Sequence, residues 1–381
     1  MAKTLILHIG DPKTGSALLQ EVLFERRFTS PERRIDYPPR LNAAFLANTL
    51  RRVGVADQKP AEFAALAEWA RASSGEVLVV SADQFGQIAP SEVLAAFQDH
   101  LPELVPTLRV IAYTLPHADR FLGTFSQKVK VGQYGLTMES LFDEMDKSGD
   151  LTSHARFAGW REVFGDRFTL RPFVAAELRD GDVVADFFGL ILGDAPFTVG
   201  KEVLANQPLP AEILAGLSVV HRILDRQGLS DGTMHNIGTR MGRLFVDSGK
   251  KGTEIGLDRA LFKRLNDRCR PDAKALDQDF FGKPVLANAL DQSARAAKST
   301  PPDLSPQSQF KAPILRALRL RAQSLAKEVR AHPGIWTSRF KQEVGRKTAA
   351  DPNAGLSEAE ASHIQTVETL LAQIVDLMTQ D

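Results

Sequence analysis

"LILHIGDPKTGSALLQEVL", residues 5–23, passes from an apolar run through a glycine-bounded loop into an amphipathic segment. Leu5, Ile6, Leu7 and Ile9 have the continuous apolar character of a strand buried on both faces. Gly10 breaks the run, and Asp11, Pro12, Lys13, Thr14 and Gly15 follow as a loop. From Ser16 to Leu23 the apolar residues return at helical spacing. The pattern predicts strand, tight loop, helix. Such a loop points free backbone N–H groups and the positive end of a helix dipole at one spot, which suits an anion.

The nucleoside triphosphate version of this loop, G-x-x-x-x-G-K-[ST], places its lysine directly after the second glycine and its hydroxyl on Mg²⁺. Gly10 and Gly15 keep that separation, but Ser16 and Ala17 follow, and the lysine, Lys13, lies inside the loop. The block Pro12-Lys13-Thr14-Gly15-Ser16, with Leu19-Gln20 after it, resembles the 5′-phosphosulfate loop of the sulfotransferases, written P-K-T-G-[ST]-T-x-L-Q. Ala17 stands where that motif has its second hydroxyl. The resemblance implies an α/β fold of the P-loop type, a three-layer sandwich around a central parallel sheet. It also implies 3′-phosphoadenosine 5′-phosphosulfate (PAPS) as sulfuryl donor, held by Pro12, Lys13, Thr14, Gly15, Ser16 and Ala17 without a metal. A sulfuryl group carries less charge than a γ-phosphoryl group, so one lysine and a cup of amides can stabilise the bridging oxygen as it leaves.

Downstream, apolar runs alternate with amphipathic stretches, as in parallel α/β sheets. "EVLVVSAD" (76–83), "TLRVIAYTLP" (107–116) and "RFTLRPF" (167–173) read as strands, and "AEFAALAEWARAS" and "SEVLAAFQDHL" as helices. Ligands of open parallel sheets bind beyond the carboxyl ends of the strands, here just after Ile9, Val80, Tyr113 and Leu170.

The segment "YTLPHADRFLGTFSQKVKVG" resembles the bacterial sulfotransferase stretch R-P-x-x-x-x-x-x-S-x-x-x-Q-x-x-K-x-G. In that family its arginine and serine clasp the donor 3′-phosphate. Aligned on Pro116, Phe121, Gln127 and Gly132, those positions are Leu115 and Gly123, so both ligands are absent. A charge-assisted bond to phosphate contributes about 1.5–3 kcal/mol, a large loss if nothing replaces it. Arg120 and Thr124 are the expected replacements, with His117, Lys128 and Lys130 close in sequence. A solvated surface position is the other reading of Arg120.

In this fold the acceptor needs a general base near the end of the strand 76–83, and Asp83 occupies that place. Partial burial would raise its pKa and suit it to the task; capping the next turn is its other open role. Asp36, in "RRIDYPPRLNAAF", is a second candidate. Farther on, Trp160, Phe164-Gly165, Arg171-Pro172-Phe173 and Asp186-Phe187-Phe188 match the W-x-x-x-F-G, R-x-[FY] and D-F spacing of the same bacterial group. An ion pair is the expected use of Arg171. The resemblance spans roughly residues 3–195, with weaker helical similarity to about 290.

The 381 residues are 43% hydrophobic, with 47 basic and 47 acidic side chains, so no net charge favours nucleic acid. The lone Cys269 cannot form an internal disulfide. No apolar run approaches about 18 residues, and the N-terminus has no leader pattern, so a cytoplasmic enzyme is expected. The eight histidines show no metal-ligand spacing and no G-x-S-x-G elbow occurs, so neither a metal site nor an esterase triad is expected. "SGKKGTEIG" (248–256) reads as a basic loop that could cover a nucleotide.

"KSTPPDLSPQSQ" (298–309) has linker composition. After it come a basic amphipathic helix, "FKAPILRALRLRAQSLAKEVRAH", and an acidic one, "LSEAEASHIQTVETLLAQIVDLM", opened by a Ser357–Glu360 capping box. Their opposite charge suggests that they pair, within the chain or in a homodimer; packing of the basic helix against the catalytic domain and its contact with an anionic membrane surface are further options. The expected organisation is a sulfotransferase-like domain over 1–290, a linker over 291–312 and a helical region over 313–381. The expected function is transfer of a sulfuryl group from PAPS to a hydroxyl or amine, with a carbohydrate as acceptor. Two alternatives stand: an inactive relative binding a glycan or protein partner through the same cleft, and a nucleoside-phosphate kinase.

Overall fold

The protein is described from a computed structural model, covering residues 3–200, 208–345 and 355–380. It is α/β, with a central five-stranded parallel sheet and many helices. The sheet contains β1 (Thr4–Gly10), β3 (Ile35–Asp36), β4 (Val77–Ser81), β5 (Arg109–Thr114) and β6 (Phe168–Pro172), in the order β3-β4-β1-β5-β6. A separate two-stranded antiparallel ribbon joins β2 (Phe28–Thr29) and β7 (Thr198–Val199).

The registers follow from the apolar pattern. Thr4–His8 of β1 face Val77–Ser81 of β4, and Ile6–Gly10 face Arg109–Tyr113 of β5. Consecutive β1 residues Leu5, Ile6 and Leu7 are all buried, so both faces of the strand are covered. One face packs Ile6, Val77, Val79, Ile111 and Tyr113 against α1 (Ser16–Phe24) and the later helix spanning Val183–Leu192. Tight burial of these chains is the main favourable term, each contributing about 1.5–3 kcal/mol.

Four of the strands coincide with the apolar runs expected to form them; β3 was not foreseen. It has only two residues, and Pro38 and Pro39 stop it almost at once. The chain goes from β1 through β3 to β4 on one side of β1, then crosses to β5 on the other. The loop after β1 therefore stands where the strand order reverses, the place at which open sheets bind ligands.

The remaining helices are α2 (Ala44–Arg51), α3 (Lys59–Ala72), α4 (Pro90–His100), α5 (His117–Lys130), α6 (Met138–Ser148), α7 (His154–Phe164) and α8 (Val183–Leu192). Then follow α9 (Ala211–Arg226), α10 (Asp231–Asp247), α11 (Arg259–Leu276), α12 (Val285–Ala296), α13 (Pro306–Gln309), α14 (Ala312–Ala331), α15 (Ile335–Gly345) and α16 (Glu358–Met378). Among the described residues, no helix is long and apolar enough to cross a membrane.

The chain divides into two compact units. The first holds residues 1–120, 152–206 and 266–292, and with them the whole parallel sheet. The second holds 121–151, 207–265 and 293–381 and is helical. Within it, α14 buries Leu315, Leu318, Leu325 and Val329, and α16 buries Ile364, Val367, Leu371 and Ile374 as the two helices pack together. Ile314, next to Leu315, is only half-buried. Ser357 and Glu360 close the capping box at the start of α16.

Candidate functional site

The loop 11–15 leaves β1 with Asp11 N–H donating to the Tyr113 carbonyl at 3.2 Å. Two residues then take left-handed backbone, Lys13 at φ 76° and Gly15 at φ 81°. For glycine this is free; for lysine it costs on the order of 1 kcal/mol and is kept where surrounding structure holds it. The result is a tight loop that presents the N-terminus of α1 without a side-chain cap. Gly10 is required beneath it. A Cβ there would stand 2.8 Å from Ser16 Oγ, 3.0 Å from Thr14 Oγ1 and 3.6 Å from Asp83 Oδ1.

Those three polar groups therefore converge above the end of β1. Thr14 Oγ1 donates to the Asp11 carbonyl at 2.7 Å. Ser16 Oγ and Asp83 Oδ1 are buried and have no hydrogen-bond partner of standard geometry among the described residues. Native structures rarely leave buried polar atoms unmatched unless a ligand or water supplies the partner. Burial pushes the Asp83 carboxyl up to about 6; the nearby Ser16 hydroxyl tempers this, the Asp11 charge adds to it and Lys13 opposes it.

Asp83 opens the short 3₁₀ turn Asp83–Gln87, where Ala82 is the cap position and makes no side-chain cap bond. The other candidate base, Asp36, is committed elsewhere. It accepts from Ser73 Oγ at 2.6 Å, Arg26 Nη2 at 2.6 Å and Tyr37 N–H at 3.0 Å. Burial would raise its pKa, but these bonds outweigh that and hold it below the ordinary value.

Asp11 had no assigned part in the sequence reading, yet it organises the cations. Its carboxylate is 2% exposed, accepts from Thr114 Oγ1 at 3.0 Å, pairs closely with Arg156 of α7, and lies 4.0 Å from Arg120 Nη1. Arg156 also lines the loop, since a Cβ on Gly86 would lie 3.4 Å from the Gly10 carbonyl and 3.8 Å from Arg156 Nη1. Lys13, Arg120 and Arg156 against Asp11 and Asp83 leave one net positive charge in the cluster, three minus two.

The fold thus brings Lys13, Thr14, Gly15, Ser16, Asp83 and Arg120 together. Pro12 and Ala17 are exposed at the rim of the loop. Thr124 follows Arg120 by one turn on α5 and belongs to the second unit. Leu115, in the position aligned with the missing arginine, is buried at the end of β5. The surface reading of Arg120 does not hold, because its side chain is only 10% exposed.

His117, the first residue of α5, is also buried beside this cluster. Its Nε2 donates to Asp272 Oδ2 at 2.8 Å, and the same carboxylate caps α7 by accepting from Ser153 and His154 N–H groups. Burial lowers the His117 pKa; the Asp272 bond opposes the shift and the Arg120 charge reinforces it. The imidazole is therefore neutral at pH 7, and its buried Nδ1, unpartnered among the described residues, is an acceptor.

Arg171 forms the expected ion pair, giving two bonds of 3.0 and 2.6 Å to Asp186, which also accepts from Tyr113 at 2.9 Å. The basic loop 248–256 is tied within its own unit: Thr253 N–H donates to Glu212, and Lys250 Nζ bonds Asp376 at 3.2 Å and Thr379 at 2.8 Å. Neither Arg156 nor His117–Asp272 could be assembled from sequence, because each contact joins residues more than a hundred positions apart. A buried carboxylate in the loop was the one available signal that an arginine had to be near. Comparison with family models, curated proteins and solved structures finds no match for this chain.

Proposed function

We propose that the chain is a sulfotransferase-like member of the P-loop α/β class that moves a sulfuryl group from PAPS to a hydroxyl or amine, a carbohydrate being the favoured acceptor. The observation that carries this reading is the convergence of Lys13, the uncapped start of α1, the buried Ser16 hydroxyl and the raised-pKa Asp83 on one point at the strand-order reversal. In this reading the acceptor oxygen or nitrogen attacks sulfur, the bond from sulfur to the bridging oxygen breaks, and the donor departs with its 5′-phosphate. Lys13 and the amides of Thr14 to Ala17 meet the charge that develops on that oxygen. Asp83 takes the acceptor proton; a base with a pKa near 6 is ionised at pH 7 and still basic enough to help.

Arg120 and Arg156 are assigned to the donor 3′-phosphate in place of the missing arginine and serine. Asp11 holds both in position, much as a second carboxylate orients an arginine fork. A kinase reading is less well supported, because Ser16 follows no lysine and the Mg²⁺-binding pair of that loop is missing.

Transfer of radiolabelled sulfate from PAPS to an array of glycans and simple alcohols tests the proposal. Wild-type protein is expected to label at least one acceptor. Lys13→Gly, which suits the left-handed backbone and so keeps the fold, is expected to abolish labelling. Equal labelling by the variant would remove Lys13 from the mechanism, and turnover of ATP with Mg²⁺ in place of PAPS would favour the kinase.

A further inference from the structure

A second cluster of ligating side chains lies in the helical unit, on elements that carry no residue of the site above. Glu328 lies in the last turn of α14, and His332, four positions on, is the residue that caps that helix. His363 comes from the second turn of α16, which packs on α14. Each of the three offers one ligand atom, and these atoms lie within 4.8 Å of one another. The two imidazole rings stand 4.7 Å apart, inclined at 57°.

The nitrogen that His363 turns toward the cluster is Nδ1, 2.8 Å from Glu328 Oε1, so the imidazole and carboxylate are already drawn together at about the spacing of two ligands on one ion. His363 is 3% exposed, so its side of the cluster is shielded from solvent. His332 is exposed and closes the cluster from the solvent side. Rotation of this free-edged ring can bring the ligand atoms toward the ~3.3 Å separation that bonds of about 2.0–2.1 Å impose on a tetrahedral ion.

We infer that Glu328, His332 and His363 form a binding site for a divalent transition-metal ion, of the zinc class, that clasps α14 to α16. Two imidazoles and one carboxylate suit zinc and its first-row neighbours, whereas calcium and magnesium prefer oxygen-only shells. Three protein ligands leave a position for water, on the side where His332 meets solvent. The ion would lock the pairing of the two helices and stabilise the folded chain by mass action. The scattered histidines gave no sign of this in the sequence, since His332 and His363 meet only through helix packing.

The test uses the full chain without a histidine tag, with Zn²⁺ alone as probe. Wild-type protein is expected to retain one zinc per chain after gel filtration and to melt at a higher temperature with zinc than with a chelator. His332→Ala and Glu328→Gln are expected to weaken zinc binding by about tenfold or more, since losing even a group that only orients a ligand costs about 10–100-fold, and to remove the thermal shift. His332 is exposed, so its variant keeps the fold, which circular dichroism verifies. Zinc retention by both variants equal to wild type, or no retention by the wild type, would overturn the assignment.

Discussion

Asp83 is where local environment and proposed chemistry can be separated most cleanly. Its pKa is raised in the folded chain, chiefly by burial, so the native state binds a proton more tightly than the unfolded state. Native stability is therefore highest below the unfolded value and falls as pH rises toward about 6. Asp83→Asn removes the buried charge. It should stabilise the protein at pH 7.5 by up to about 3 kcal/mol, two pKa units at 1.36 kcal/mol each, while abolishing the proposed sulfuryl transfer. Denaturant unfolding beside the transfer assay checks both halves. For the wild type, the acid limb of the rate profile should have an apparent pKa near 6; a flat profile over roughly pH 5 to 8 would exclude Asp83 as the base. Asp83 was readable in the sequence because it ends an apolar run. Its rival Asp36 looked equivalent, and only the fold shows Ser73 and Arg26 occupying it.

At the scale of elements, α10 shows how glycine spacing sets a helix contact. Gly238 and Gly242 are one turn apart on α10 and both face Lys130 at the end of α5. A Cβ on Gly238 would lie 1.7 Å from the Lys130 carbonyl oxygen and 2.9 Å from His221 Nε2. That carbonyl is one of the orphans of a helix end, and His221 Nε2 donates to it at 2.9 Å. Burial lowers the His221 pKa to about 4, so the ring stays neutral and keeps the tautomer this bond needs. Gly238→Ala must displace backbone, and should destabilise the chain by more than about 3 kcal/mol, the upper range for overpacking; Gly232→Ala, with open space around it, should be close to neutral. Similar melting temperatures for the two variants would contradict this packing. The strands β1, β4, β5 and β6 and the capping box of α16 were legible because each is specified by adjacent residues. β3 was not, because its pairing partner Val77–Leu78 is 42 positions away and its own two residues carry no period.

For the molecule as a whole, the proposal depends on one sheet placing three strand ends side by side. Gly10, Ser81 and Thr114 end β1, β4 and β5; Asp11 follows the first directly, and Asp83, two residues past the second, stands beside Gly10. Sequence could locate those ends and point to Arg120, but not Arg156, which arrives from α7 and is fixed by Asp11. The central claim is that this gathering binds an adenosine carrying both a 5′- and a 3′-phosphate. Calorimetric titration of the wild type and of Arg156→Ala with 3′-phosphoadenosine 5′-phosphate tests it most directly. The account predicts binding by the wild type and, on loss of one charge-assisted contact, affinity lower by about tenfold or more in the variant. Adenosine 5′-phosphosulfate, lacking the 3′-phosphate, should bind both proteins equally and weakly. No heat from 3′-phosphoadenosine 5′-phosphate with the folded wild-type protein would contradict the account and leave the sulfotransferase-like loop as a scaffold without its nucleotide.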